Sequence, residues 1–385
     1  MKYRPFGNTG WNVSALGFGA MRLPATASKS GGPAVDEAES VRMIRAAIDG
    51  GVNYVDTAYP YHGGVSETIV GKALAGGYRS RVRLATKSPV WLIQKPGDFD
   101  RYLDEQLKRL NVEHVDYYLL HALDNGRWEN SVLRHGLLEK GEAAVADGRI
   151  GSLGFSFHDG FDAFIRILDG YDKWGMCQIQ YNYLDVENQA GTRGFLEAVK
   201  RGLPVVVMEP LLGGRLARPP LKIRKMIEAH PSGRTPAEWA LSWLWDQSGV
   251  STVLSGMSAM SEIRDNLVYA GRAETGMLEA EDRERIVTIR RAYRESAHIP
   301  CTNCGYCMPC PHGVLIPANF GLYNDMFMHE NPGMPRFSYT HFFPDAGKAS
   351  VCVQCGECLG KCPQKIDIPG WMPKVHDGLS GDVKG

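Results

Sequence analysis

Eight short apolar runs, each followed by an amphipathic stretch, recur along the first 270 residues and constrain the fold more than any other feature. The runs are Leu16 to Ala20, Tyr54 to Asp56, Val82 to Lys87, Val115 to His121, Ile150 to Phe155, Cys177 to Tyr181, Pro204 to Met208 and Val250 to Leu254. Most are continuously apolar rather than alternating, as strands covered on both faces are. Helical patterns lie between them near 36–50, 64–75, 98–110, 131–147, 159–168, 191–201 and 235–246, with another at 260–269. Eight strand–helix alternations over this length fit a closed α/β barrel, a (β/α)8 TIM barrel, better than an open doubly wound sheet. That fold gathers its chemistry at the C-terminal ends of the strands. Asp56, Lys87 and His121 each close a strand run. A lysine and an aspartate ending apolar strands need partners, and each is the obvious partner for the other.

A hairpin is expected first, from Lys2 to Phe6 and Asn12 to Ala15 about the turn Gly7-Asn8-Thr9-Gly10. Gly213 to Thr235, rich in Pro and Gly, reads as an elaborated loop with a short helix, and a last barrel helix is expected over Glu279 to Ser296. From about His298 the composition shifts to Cys, Pro and Gly, so the expected division is a barrel over 1–296 and a small helical and irregular domain over 297–385. No low-complexity tract or short-period repeat is visible.

Eight of the nine cysteines fall in two runs: Cys301, Cys304, Cys307, Cys310, Pro311 and Cys352, Cys355, Cys358, Cys362, Pro363. The second run has the C-x-x-C-x-x-C-x-x-x-C-P spacing of bacterial ferredoxins, which points to 4Fe-4S clusters. Zinc is the alternative, but zinc knuckles are held apart, whereas here three thiols crowd into seven residues, twice. A disulfide framework would need a small secreted domain, and the opening Met1-Lys2-Tyr3-Arg4-Pro5 begins no apolar signal region. The thiols are therefore expected to be metal-bound and cytoplasmic. In two-cluster ferredoxins the fourth Cys of each run serves the other cluster. The expected sets are Cys301, Cys304, Cys307 with Cys362, and Cys352, Cys355, Cys358 with Cys310; the first run is one residue shorter before its fourth Cys.

Forty-three basic and forty-three acidic residues balance, which gives no reason to expect a nucleic-acid partner. No apolar run reaches the roughly 18 to 20 residues of a membrane span, so a soluble protein is expected.

Asp56-Thr57-Ala58-Tyr59-Pro60-Tyr61, followed by Ser66-Glu67 and Gly71-Lys72-Ala73-Leu74, resembles the aldo/keto reductase signature. Lys87 in Leu84-Ala85-Thr86-Lys87 and His121 in Asp116-Tyr117-Tyr118-Leu119-Leu120-His121 complete the Asp, Tyr, Lys, His tetrad of that family, over roughly residues 1 to 296. The residues support the chemistry. Reducing a carbonyl by hydride leaves an alkoxide-like oxygen that needs a proton donor. Tyr61 is the tetrad member that is neutral, protonated and still acidic. Lys87 is expected to lower its pKa, Asp56 to hold Lys87 charged, and His121 to orient the carbonyl.

The resemblance implies NADPH or NADH bound over the barrel mouth without a Rossmann fold. Matching positions are Ser156, Gln178, Met208, the loop Ser255-Gly256-Met257-Ser258, Arg264 and Asn266, with the Gly256 backbone able to cradle phosphate. Three departures stand out. Phe157 replaces an Asn that reads the carboxamide, Met208 replaces a Tyr under the ring, and Gly256 and Glu262 replace the Lys and Arg that grip a 2'-phosphate. NADH therefore stays open beside NADPH. Phe157 and Met208 read equally as apolar filling, Glu209 and His158 as loop or substrate residues, and Trp91 as a pocket wall. Trp239, Trp243 and Trp245 read as core or interface, and Cys177 as core.

The whole chain resembles a subgroup of aldo/keto reductases with a C-terminal two-cluster ferredoxin-like domain, through Cys304-Gly305-Tyr306-Cys307-Met308-Pro309-Cys310-Pro311 and Met208-Glu209-Pro210-Leu211-Leu212-Gly213-Gly214. Hydride carries two electrons and a cluster passes one, with no flavin motif to convert them. Three readings follow: an NAD(P)H-dependent reductase or dehydrogenase acting on a small carbonyl or alcohol substrate, an enzyme fed through its clusters by a ferredoxin-type partner, or a redox-sensing binding module with vestigial turnover. The intact tetrad favours an enzyme over a binding module, and the first reading is the one expected, with the cluster-fed enzyme as its alternative. Anaerobically purified protein is expected to carry about eight irons per chain; about four or fewer would contradict two clusters.

Overall fold

A computed structural model describes residues 1–27 and 33–381. The chain forms two compact units, Met1–Ala217 with Ala237–Glu281, and Arg218–Pro236 with Asp282–Gly385.

Arg218–Pro236 and nearly all of the helix Ala280–Glu295, both expected within 1–296, group with the second unit, whereas the first unit holds the expected (β/α)8 barrel. Its strands are β1 Leu16–Gly19, β2 Tyr54–Asp56, β3 Arg83–Ser88, β4 Val115–Leu123, β5 Ile150–Phe157, β6 Cys177–Gln180, β7 Val205–Met208 and β8 Val250–Ser255. Each pairs in parallel with the next, and β8 pairs with β1 to close the cylinder. The barrel helices that follow β1 to β3 are α1 Glu37–Asp49, α2 Ser66–Leu74 and α3 Gly97–Leu110. The pattern at 131–147 resolves into a wide turn, Trp128–Leu133, and a helix, Leu137–Ala146. Gly136 between them has φ of 61°, which no continuing right-handed helix allows.

The N-terminal hairpin, Tyr3–Pro5 with Asn12–Ser14, has a role its sequence did not announce. Phe6 packs against Trp11, Tyr54 and Tyr117 with ring centroids 5.3, 6.0 and 5.1 Å away. Phe6 and Val13 join Ala85, Leu119, Met176, Val206 and Leu254 in one fully apolar cluster. All but Leu254 lie before or within the middle of their strands, so the hairpin plugs the floor of the barrel and leaves the opposite end for chemistry. A second short hairpin, Ala25–Ala27 with Pro33–Val35, was not foreseen.

The second unit shows a repeat that a scan for short periods misses. Cys301, Cys304 and Cys307 stand 51 positions before Cys352, Cys355 and Cys358. Asn303 and Gln354 share positive φ, 56° and 58°, as do Gly305 and Gly356, 75° and 80°. After each run an Ile-Pro step opens a 13-residue helix, Ile316–Met328 and Ile368–Ser380. The unit's own apolar core is small, built around Ile316, Phe320, Tyr339, Ile368, Met372 and Val375. Among the described residues no helix is long and apolar enough to cross a membrane.

Gly71 of the signature segment is a packing residue. A Cβ there would stand 2.3 Å from the Leu110 carbonyl oxygen, so α2 and the end of α3 can meet this closely only over a glycine. Gly71→Ala is expected to cost about 1 to 3 kcal/mol, read as a lower denaturant midpoint with an unchanged slope.

Candidate active site

Asp56 is the last residue of β2 and Lys87 lies near the end of β3, the neighbouring strand, so parallel pairing alone brings their side chains together. Both are buried. Lys87 Nζ donates to Asp56 Oδ1 at 2.6 Å and to the Thr57 carbonyl at 2.8 Å, and stands 3.5 Å from the Tyr61 hydroxyl. Tyr61 opens the short turn Tyr61–Gly64 after β2, in which His62 has φ of 53°. His62 Nε2 accepts the Leu23 backbone N–H at 3.1 Å, which pins that turn to the loop after β1.

His121 is aimed by an irregularity. The β4–β5 register shifts between Leu120 and Leu123, and Ala122 takes φ of 54°. Such bulges redirect side chains at barrel rims. The Ala122 N–H, displaced from the ladder, donates to Ser156 Oγ at 2.7 Å. The His121 ring then lies 5.9 Å from Tyr61 and 5.2 Å from Trp91, centroid to centroid, and its Nδ1 has no hydrogen-bond partner among the described residues.

Burial pushes the Asp56 carboxyl up, and Lys87 pulls it back. Burial also opposes the Lys87 charge, but Asp56 and the Tyr61 oxygen outweigh it and hold Lys87 above its ordinary value. The Tyr61 phenol departs from the sequence expectation. Burial raises it above 10, Lys87 lowers it, Asp56 and Glu209 raise it, and the balance is upward. Lys87 acts in the expected direction, yet desolvation of a phenolate in this pocket is the larger effect. His121 is driven well below 6.5, first by burial and then by Lys87, His158 and Arg127, so its imidazole is neutral at neutral pH.

A second buried network supports Lys87 from behind. Glu67 accepts from Thr86 Oγ1 and Gln106 Nε2, both at 2.6 Å, and Gln106 Nε2 reaches the Lys87 carbonyl at 3.0 Å. Arg109 lies 3.3 Å from the other Glu67 oxygen. Glu67 was visible only as part of a motif, and Gln106 and Arg109 carried no signal, because their roles exist only once α2 and α3 pack on β3.

The positions matched to a nicotinamide cofactor fall at the same mouth. Gln178 is 2 % exposed, its Oε1 lacks a partner among the described residues, and its Nε2 is 3.8 Å from Met208 Sδ. That orphaned acceptor fits a carboxamide N–H. Asn266 Nδ2 donates to Ser255 Oγ at 3.1 Å, while the Ser258 N–H donates to Glu262 at 2.8 Å. Met257 packs into the core, leaving its backbone for any ligand, and Arg264 is exposed. Ser156 is engaged by the His121 bulge. Phe157 is fully buried, 5.0 Å from the Phe164 ring, and is apolar filling. Trp91 is exposed at the mouth beneath Arg127, 5.5 Å from its guanidinium. Glu209 has φ of 53°, a conformation rarely kept by a non-glycine residue without reason. Trp239, Trp245 and Cys177 are buried, and Trp243 packs 5.0 Å from Tyr181.

In the second unit the thiols gather into two quartets across the repeat. Cys301, Cys304, Cys307 and Cys362 line one cavity of about 310 Å³. Cys310, Cys352, Cys355 and Cys358 line another of about 410 Å³, with Cys307 also in its wall. Among the described residues no group of three or more His, Cys, Asp or Glu closes on a point that one ion would fill. The quartets surround cavities instead, the arrangement a multi-iron cluster needs.

Residues 15–289 match the aldo/keto reductase family, and residues 300–366 match a 4Fe-4S dicluster domain. L-galactose dehydrogenase of Arabidopsis thaliana is 30 % identical over 314 residues, 75 % of this chain and 94 % of that protein. Aldo-keto reductase AKR11C1 of Bacillus halodurans, in its holo form, superposes with a TM-score of 0.62 at 26 % identity, over 75 % of this chain and 96 % of that one. An aldo-keto reductase of Klebsiella pneumoniae in complex with NADPH gives 0.60 at 25 %, over 75 % and 95 %. The protein is therefore an enzyme of the aldo/keto reductase family, carrying a 4Fe-4S dicluster domain C-terminal to its barrel.

Proposed function

We propose that the barrel transfers hydride between NAD(P)H and a small aldehyde, ketone or sugar carbonyl, with Tyr61 as the proton donor, and that the two thiol quartets each hold a 4Fe-4S cluster. The observation that carries the catalytic part is the buried Lys87 ammonium, 2.6 Å from Asp56 and 3.5 Å from the Tyr61 hydroxyl. When bound, the reduced nicotinamide supplies the hydride. Tyr61 hydrogen-bonds the carbonyl oxygen and gives it a proton as charge develops there; Lys87, still charged, stabilises the phenolate left behind. His121, neutral, offers a second hydrogen bond that orients the carbonyl. Gln178 Oε1, without a partner among the described residues, would accept from a carboxamide, and Met208 would pack against the ring.

A second reading has its own support. One cysteine of each quartet, Cys304 and Cys355, is exposed, which suits one-electron exchange with a ferredoxin-type partner. Two clusters together would carry the two electrons a carbonyl needs, with both protons from the barrel site and solvent.

Tyr61→Phe is expected to lower carbonyl reduction by at least about 100-fold while leaving the NAD(P)H dissociation constant within about twofold. Turnover surviving within a few fold would remove Tyr61 from the acid role. The raised Tyr61 pKa keeps the phenol protonated through neutral pH, and the lowered His121 pKa keeps that ring neutral. The kcat/KM for reduction should thus show no break between about pH 7 and 9 and fall only above. A fall near the usual histidine pKa would reassign the proton to an imidazole. To weigh the second reading, full-length protein with photoreduced clusters is mixed with a carbonyl substrate, anaerobically and without NAD(P)H. Alcohol formed together with recovery of cluster absorbance supports coupling; stable reduced clusters exclude it.

A further inference from the structure

Arg22 ends the single helical turn Ala20–Arg22 that follows β1, and it is exposed at the barrel rim. Its stem lies along the loop after β8. A Cβ at Gly256 would stand 3.2, 3.3 and 3.4 Å from Arg22 Cβ, Cγ and Cδ, and those are the three nearest atoms it would meet. Its guanidinium reaches the loop after β7, where a Cβ at Gly213 would stand 3.1 Å from Nη2. Gly213 needs to be glycine for its own φ of 68°, but Gly256 lies outside the left-handed region, and the atoms nearest its missing side chain belong to Arg22. Among the described residues the guanidinium has no hydrogen bond or ion pair.

β7, β8 and β1 are consecutive strands, and β1 adjoins β2, which bears Asp56. The arginine therefore lies on the arc of the mouth beside the tetrad, over the loop that continues from Met208. A dinucleotide with its ring against Met208 and Gln178 and its phosphates at the Ser255-Gly256-Met257-Ser258 loop crosses this arc. An arginine is the side chain best shaped to grip phosphate oxygens, through two parallel N–H donors.

We propose that Arg22 is the pyrophosphate-binding residue of the cofactor site, laid across Gly256 and Gly213 so that its fork faces the phosphates. This rests on the nicotinamide reading above. The test titrates full-length, cluster-loaded protein with NADH, NADPH and ADP by fluorescence. In Arg22→Ala all three dissociation constants should rise at least about tenfold, with a smaller rise in Arg22→Lys, which keeps the charge but loses the fork. Gly256→Val, which crowds the stem while leaving the arginine in place, should reproduce the loss. Weakening confined to NADPH would overturn the proposal by assigning Arg22 to the 2'-phosphate, and unchanged affinities would overturn it outright. Wild-type protein that binds none of the three would instead overturn the nicotinamide reading, and the role of Arg22 with it.

Discussion

The buried Lys87 ammonium is the group on which the rest of the site depends. An isolated charge so far from water is untenable, and removing one partner of such a pair costs about 3 to 5 kcal/mol. Asp56 answers the charge from the adjacent strand, the Thr57 carbonyl accepts a second N–H, and Tyr61 stands beside what is left. The lysine can meet all three only if β2 and β3 keep their register to the residue. Glu67, Thr86 and Gln106 hold that register by joining α2, β3 and α3 behind the lysine. The ion pair proposed to serve catalysis is thus also a folding constraint.

Closure of the floor by the hairpin and the shift in β4 serve the same end at different places. Phe6, Tyr54 and Tyr117 fill one end of the cylinder with rings, so polar strand-end residues can collect only at the other. At that end the Ala122 irregularity turns His121 toward Tyr61 instead of leaving it in the strand's alternation. The backbone donor that this frees is satisfied by Ser156, as a buried N–H must be. The dicluster domain shows a different economy of design. The doubled Cys run with an Ile-Pro helix start places thiols from both halves around each cavity.

Much of this was readable in advance, for identifiable reasons. Continuous apolar runs mark doubly covered strands, so all eight barrel strands lie within one or two residues of their expected bounds. Asp56, Lys87 and His121 were conspicuous because charge or polarity at the end of an apolar strand is costly without a purpose. The break at Gly136 was lost inside a helical pattern, since periodicity registers side chains and not φ. Gln106 and Arg109 were invisible because nothing near them in the chain marks them; their partners come from other elements.

The amino-acid sequence by itself determined the barrel, the tetrad and the two cysteine runs, because strand covering, costly polar placement and ligand spacing are local properties written residue by residue. Tertiary structure alone decided the direction of the Tyr61 pKa, the walls of the two thiol-lined cavities, and the course of Arg22 over Gly256 and Gly213. Desolvation, cavity walls and close approach depend on how distant segments pack, and spacing along the chain does not encode them.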